Sequence, residues 1–282
     1  MLTAPPDKRT LLLLLFLMAC TTTVPCEPLT VHVDEHGLDN EDCDCNYPCA
    51  SIKAALMVTS ESPKIIIHGT IDEATTIAGG RRVMFRGDPP VCEQLGTNCI
   101  GHETSVWTYS GRGPALTIRD GGTQVVINHL AIYGRDRHQL PPTGGVSVLP
   151  SGRPMLIMDS VRISGWSDFG VQAAGGSIRL TNCDVIGNVG GGLMAGGNVQ
   201  LDVTNNRFGA NGSETSIVGA VSLAIPFAPS NRLDDNIFYG GNRAISGIGS
   251  AVDCTIPMVL RGNQIPPDET VLGCTTENWL KN

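Results

Sequence analysis

The sequence predicts an all-β chain wound as a solenoid of short parallel strands, and three observations predict it. A unit made of a small polar residue, any residue and an apolar residue recurs. It stands at Asn128-His129-Leu130, Asp159-Ser160-Val161, Cys183-Asp184-Val185, Asn206-Arg207-Phe208, Asn236-Ile237-Phe238 and Asn263-Gln264-Ile265, at steps of 23 to 31 residues. Apolar residues alternate just upstream of most copies, as in Val125-Val126-Ile127, Leu156-Ile157-Met158, Ile178-Arg179-Leu180 and Val199-Gln200-Leu201. Gly or Asn follows most units, at Gly134, Gly165, Asn188, Asn211 and Gly240, where the chain has to turn. No stretch of a dozen residues between 65 and 265 has helical periodicity, so a βαβ fold is excluded.

Coils of this length, with insertions extruded from a constant core, fit a parallel β-helix. An Asn at a fixed inward turn position then stacks on the Asn of the next coil. Its amide bonds its neighbours and the freed backbone groups. The expected ladder is Asn206, Asn236 and Asn263, with Asp159 and Cys183 in the same column. The expected core column beside it is Leu130, Val161, Val185, Phe208, Phe238 and Ile265.

The elements follow in order. Residues 1–20 read as a targeting segment: Lys8 and Arg9 lead an apolar run, Leu11 to Met18, too short to span a bilayer. The run ends in Leu17-Met18-Ala19-Cys20, the pattern of a bacterial lipobox, with Cys20 the lipidated residue. The alternative is an ordinary secretory signal. Residues 21–64 form a disulfide-rich leading segment with one amphipathic helix within 46–58, carrying Ile52, Ala55 and Leu56 on one face as a cap. Residues 65–265 are the helix body and 266–282 a C-terminal tail.

The chain has 282 residues, net charge −8 and a pI near 5.2, which excludes nucleic acid as the main partner. Ten cysteines suit an oxidising compartment. Cys92 is expected to pair with Cys99, and Cys254 with Cys274. Cys26, Cys43, Cys45 and Cys49 are expected to form further bridges, with thiolate metal ligation at Cys43, Cys45 and Cys49 as the alternative. Cys183 is expected to remain a free, buried thiol.

The segment from Val31 to Leu56, VHVDEHGLDNEDCDCNYPCASIKAAL, followed by the IIIHGTI of 65–71, resembles the start of right-handed parallel β-helix proteins of the pectate-lyase-like superfold. That resemblance implies a right-handed coil with a short N-terminal capping helix. The superfold includes polysaccharide lyases and hydrolases, phage tailspikes and adhesins, so fold alone does not choose function.

Lyases of this group are expected to use a Lys or Arg base, often with Ca²⁺. No Lys lies between 65 and 280. Arg119, Arg162, Arg179, Arg207 and Arg261 remain as strand-associated bases. The acidic stretch Asp34 to Asp44 offers oxygen ligands for a structural Ca²⁺, with a solvated loop as its alternative. The cluster Arg135-Asp136-Arg137-His138 offers an anion or sugar contact, with a solvated charged loop as its alternative. Trp107, Tyr109 and Trp166 are candidates for a glycan-stacking platform, with packing beneath loops as theirs.

The expectation is an exported, lipid-anchored, monomeric β-helix of the bacterial outer membrane or cell surface. It would act as a binding or structural module for a glycan or cell-surface polysaccharide, with no cofactor. The alternative is a polysaccharide lyase or glycoside hydrolase acting on an acidic polysaccharide.

Overall fold

In the computed structural model, residues 30–39, 42–59, 62–88, 105–134, 144–212, 220–225, 230–240, 243–247, 262–264 and 270–272 are described. Every pairing among the named strands is parallel, and each strand pairs with one about a coil further along the chain. The chain therefore winds as a parallel β-helix with three faces.

Face one holds β3 (Thr75–Ile77), β6 (Leu116–Ile118), β9 (Val146–Val148), β12 (Phe169–Thr181), β14 (Gly191–Thr204), β16 (Val221–Ala224), β19 (Arg243–Gly247) and β20 (Thr270–Leu272). Face two holds β1 (Thr30–Asp34), the start of β2 (Lys64–Asp72), β4 (Arg82–Gly87), β7 (Gln124–Asn128), β10 (Met155–Asp159), the second halves of β12 and β14, and β17 (Arg232–Asp234). Face three holds the end of β2, β5 (Ser105–Tyr109), β8 (Ala131–Gly134), β11 (Arg162–Ser164), β13 (Asp184–Ile186), β15 (Arg207–Gly209) and β18 (Ile237–Tyr239).

The two described corners differ in kind. From face two to face three the chain turns on one left-handed residue: His129, Ser160, Asn182, Asn205 or Asp235, at φ between 51° and 58°. Asn and Asp tolerate this region better than most side chains. From face one to face two the turn is glycine-rich. At Gly176, φ is +85°, and a Cβ there would collide with the Pro154 carbonyl. In β12 and β14 this turn shortens so far that faces one and two run as one bent strand, with a bulge between Ala173 and Gly175.

Counting from the last inward residue of face two corrects the expected register. Ile127, Met158, Leu180, Val203 and Leu233 are inward and buried. Three residues on, past the left-handed turn, stand Leu130, Val161, Cys183, Asn206 and Asn236. These share one inward column, as the pairings Ala131↔Arg162↔Asp184↔Arg207↔Ile237 require. Asn128 and Asp159 point outward on face two and are not ladder positions. The ladder position in these two coils lies two residues further on. Leu130 and Val161 accordingly belong to the ladder column, not to the core column of Val185, Phe208 and Phe238. That second column continues through Ile163, Ile132, Trp107 and Ile71. All its members are buried, and Phe208 stacks on Phe238 at 5.3 Å.

The ladder itself is as expected where Asn occupies it. Asn206 Nδ2 donates to Asn236 Oδ1 at 3.0 Å, and Asn236 Nδ2 donates to Asn263 Oδ1 at 3.0 Å. Each Oδ1 also accepts a backbone N–H of the preceding coil: Cys183 onto Asn206, Asn206 onto Asn236, Asn236 onto Asn263. Nδ2 of Asn206, Asn236 and Asn263 also donates to a carbonyl, of Leu180, Val203 and Leu233 respectively. A second column was not anticipated. Five residues beyond Val161, Cys183 and Asn206 stand Trp166, Asn188 and Asn211. Asn188 Oδ1 accepts Trp166 N–H, and Asn211 Oδ1 accepts both Asn188 N–H and Asn188 Nδ2.

The N-terminal end is closed by α1 (Ile52–Val58), about two turns within the expected 46–58 segment. Ser51 Oγ accepts Ala54 N–H as its N-cap, and the Glu73 carboxylate accepts Ile52 and Lys53 N–H. Arg81 donates to the carbonyls of Leu56 and Thr59 at the other end. Ile52 and Ala55 are fully buried. β1 already pairs with β2, so the strand stack begins before the expected boundary at residue 65.

Candidate functional site

Charge is distributed unevenly over the three faces. On face two, Arg179, Asp202 and Arg232 stand in one outward column, and Arg179 Nε lies 3.0 Å from Asp202. Arg232 also holds Asp234 at 2.7 Å. On face three, Arg162, Asp184 and Arg207 alternate in another column. Arg207 lies 3.7 Å from Asp184 and over the Tyr239 ring, and Arg162 lies over Tyr133. The candidate bases Arg162, Arg179 and Arg207 are therefore engaged with neighbours on adjacent coils. Arg119 is exposed at the trailing border of face one, and Arg261 lies outside the described residues.

Face one is different. Its outward column runs Thr76, Thr117, Ser147, Gln172 and Met194 in register, without a charge, and meets Ser222, which is 0% exposed. Beside it stand Arg119, Leu149, Ala174, Gly196 and Ala224. Two depressions border this strip. A small one, about 70 Å³, sits at its leading edge between Ser147, Asp168, Phe169 and Gln172. The larger, about 870 Å³, follows the glycine-rich corner at its trailing edge. Pro150, Arg153 and Met155 line it on one coil, Ala174 and Ser177 on the next, then Asn198 and Gln200, then Ser230 and Asn231. It thus crosses four coils, roughly 19 Å at about 4.8 Å each. The polar groups of its described lining are hydroxyls, amides and one guanidinium, with no carboxylate among them.

The glycan platform expected from aromatic residues is corrected. Trp107 and Trp166 are both 0% exposed. Trp107 occupies the core column, and its Nε1 donates to the Glu73 carbonyl. Trp166 fills the second column, and its Nε1 donates to the Ile132 carbonyl. An indole with its N–H satisfied inside is core material, not a stacking surface. Tyr109 is partly buried against the same core, and its hydroxyl donates to the Arg112 carbonyl. A five-residue strand with apolar residues at both 106 and 107 leaves its inward face ambiguous in the sequence.

The acidic leading stretch spends oxygens on the chain itself. Asp39 Oδ1 accepts Ala50 and Ser51 N–H, Asp44 Oδ1 accepts Asn46 and Tyr47 N–H, and Glu35 accepts Thr70 N–H. Among the described residues, no three His, Cys, Asp or Glu side chains are arranged to hold a metal ion. Cys43 bonds Cys49, and Cys45 is disulfide-bonded as well, which removes the thiolate-ligand alternative. Cys183 is free and buried, and burial pushes its thiol up to about 12 from 9.0. Cys20, Cys26, Cys92, Cys99, Cys254, Cys274, Ile265 and the Arg135–His138 cluster lie outside the described residues.

No family model and no curated protein matches the chain. Among solved structures, the pectin methylesterase from Aspergillus niger in deglycosylated form aligns over 90% of this chain and 94% of that one, with 10% identity and a TM-score of 0.45. The penultimately deglycosylated form aligns over 90% and 97%, with 11% identity and a TM-score of 0.42. At these values the likeness transfers neither an activity nor a residue role.

Proposed function

We propose that this protein is a non-catalytic binding module that lays an extended, neutral polysaccharide chain along face one and its trailing trough. The observation that carries the reading is the uncharged outward column from Thr76 to Met194, bordered by a trough whose described lining carries no carboxylate. Hydroxyls and amides exchange hydrogen bonds with sugar hydroxyls without the desolvation cost of a buried charge. Thr76, Thr117, Ser147 and Gln172 place one polar side chain on each of four successive coils, and many weak contacts suit a polymer.

The catalytic alternative has less support. Glycoside hydrolysis ordinarily uses two carboxyl groups flanking the bond, and the described lining of the two depressions supplies one, Asp168. A polyuronate would also approach a chain of net charge −8. Export is part of the proposal. It rests on the apolar leader ending at Cys20 and on the disulfide between Cys43 and Cys49. Lipid anchorage in a bacterial cell envelope rests on the Leu17–Cys20 pattern alone.

The experiment is binding of the purified chain to a panel of neutral and acidic glycans, with product analysis of each mixture. Neutral extended chains should bind and remain intact. Ala174→Trp, at an exposed position in the trough, should abolish binding while the protein stays folded. Released oligosaccharides, or full binding by Ala174→Trp, would overturn the reading.

A further inference from the structure

The small depression at the leading edge of face one is built differently from the trough. It carries an aromatic ring, Phe169, and the one carboxylate in the described lining of either, Asp168. Three successive coils form it: Gly113 and Pro114 on the first, Ser147 on the second, and Asp168, Phe169 and Gln172 on the third. Ser147 and Gln172 are direct partners on β9 and β12, about 4.8 Å apart. Asp168 stands just before β12, where its carbonyl accepts Gly190 N–H and the Phe169 carbonyl accepts Gly145 N–H. All four side chains are half-buried, so solvent reaches them. Asp184, Asp202 and Asp234 each face an arginine. Among the described residues the Asp168 carboxylate makes no such pair.

We infer that this depression is a subsite for the edge of one neutral pyranose ring bearing two adjacent free hydroxyls, with Asp168 as the specificity-determining residue. The inference rests on the reading of face one as a glycan-binding surface and names the group that the surface reads. A carboxylate accepts only, and it does so through two oxygens. Two neighbouring sugar hydroxyls donate to it as a pair, and a charged acceptor makes each bond about twice as strong as a neutral one. The sugar oxygens need donors in return, and Gln172 Nε2 and Ser147 Oγ supply them. Gln172 Nε2 rests 3.7 Å from Met194 Sδ, a weak acceptor, which sets the direction of the amide and leaves its second N–H for the ligand. Phe169 offers an apolar wall to the C–H groups of the ring.

Size and charge narrow the ligand. The depression holds about 70 Å³, well below the roughly 300 Å³ of a pocket that encloses a whole small molecule. It takes two hydroxyls and the carbons that bear them, not a complete ring. Gly113 keeps the rim open, since a Cβ there would meet nothing within 4 Å. The described lining has one negative charge and no cation, so uronates and sulfated sugars are disfavoured. From Asp168 to Ala174 in the trough is about 20 Å of extended strand, so the two places are separable by mutation.

The test is titration of the full chain with the methyl glycosides of glucose, galactose and mannose, followed by saturation-transfer NMR and calorimetry. At least one should bind in the millimolar range, and O-methylation of its adjacent hydroxyls should abolish the binding. Asp168→Asn, with an unchanged circular dichroism spectrum, should weaken that glycoside about 10-fold or more, the worth of hydrogen bonds to a charged group. Asp202→Asn on face two should change nothing. Ala174→Trp should leave glycoside binding intact while it removes polymer binding. Polymer binding with no glycoside binding would overturn this subsite alone, and glycoside binding with no polymer binding would overturn the trough reading alone. Full affinity in Asp168→Asn, full affinity for the O-methylated glycoside, or methyl glucuronide binding tighter than methyl glucoside would also overturn the assignment.

Discussion

Leu130, Val161 and Cys183 fill the inward corner position that Asn206, Asn236 and Asn263 fill in later coils. The backbone follows the same path in both regions. Arg162 N–H bonds the Leu130 carbonyl as Ile237 N–H bonds the Asn206 carbonyl. The side chains work differently. The early rungs are apolar, and Leu130, Val161 and Cys183 are at most 2% exposed. Asn236, in the middle of the later run, uses both donors and both lone pairs of its amide on a backbone N–H, a carbonyl and the two neighbouring amides. The difference teaches that the corner is set by the left-handed residue before it and tolerates either chemistry inside. An amide column succeeds only as a continuous run, because each member satisfies the next.

The largest effect should follow from interrupting that run. Asn236→Leu takes the acceptor from Asn206 N–H and from one Nδ2 hydrogen of Asn206, the side-chain donor from the Val203 carbonyl and one of two donors from Asn263 Oδ1, and should destabilise by about 3 kcal/mol. Denaturant unfolding monitored by circular dichroism measures it. A loss no larger than a few tenths of a kcal/mol would mean the amides are replaceable by packing.

A smaller loss, about 1–2 kcal/mol, should follow Val161→Asn by the same assay. The new amide would sit above Cys183, which offers no Oδ1 to receive its second N–H. Paired with Cys183→Asn it should recover most of the loss, since a continuous column would then run to Asn206. The double mutant thus tests whether continuity is what matters.

The third effect is a pH dependence of about 1 kcal/mol. The native Cys183 thiol ionises near 12, and the unfolded one near 9.0. Burial is the main cause, opposed by hydrogen bonds with the Val161 and Thr181 backbone. Between these values the unfolded chain gives up a proton that the native chain keeps. Native stability therefore falls as pH rises above about 9. From pH 8 to pH 10 the wild type should lose about 1 kcal/mol more than Cys183→Ala in urea unfolding. Equal losses would mean that the thiol reaches solvent in the native state.

The smallest expected change is Cys183→Asn alone. Its Nδ2 would meet Asn206 Oδ1 and its Oδ1 the Val161 backbone N–H, extending the column by one rung. Stability should move by less than about 1 kcal/mol. A loss of several kcal/mol would show that the apolar and amide regions are packed differently after all.

Much of this was legible in residues. Alternation before the units puts Ile127, Met158 and Leu180 on one strand face, and the recurring Asn puts the ladder at 206, 236 and 263. The first two units mislead because Asn128 and Asp159 look like ladder residues. The parity of the preceding strand makes them outward, and counting three from Ile127 or Met158 would have found Leu130 and Val161. The second amide column was also present in the text of the sequence, at a constant five residues beyond the first. Read along the chain, Asn188 and Asn211 look like turn residues.

What the sequence by itself determined was the strand period, the coil spacing, the amide ladder and the free buried thiol. These depend on neighbours along the chain and on repetition, which a linear reading preserves. What only the tertiary structure decided was the fate of single residues that do not repeat. Trp107 and Trp166 could have faced either way, and their indole N–H groups found partners inside, at the Glu73 and Ile132 carbonyls. Pro114, Ser147 and Asp168 come from three separate segments, with no shared spacing to mark them, and meet because consecutive coils lie one strand apart. The uncharged strip on face one likewise draws one residue from each coil. Variable insertions between coils hide its register in the sequence, and parallel hydrogen bonding between successive strands restores it.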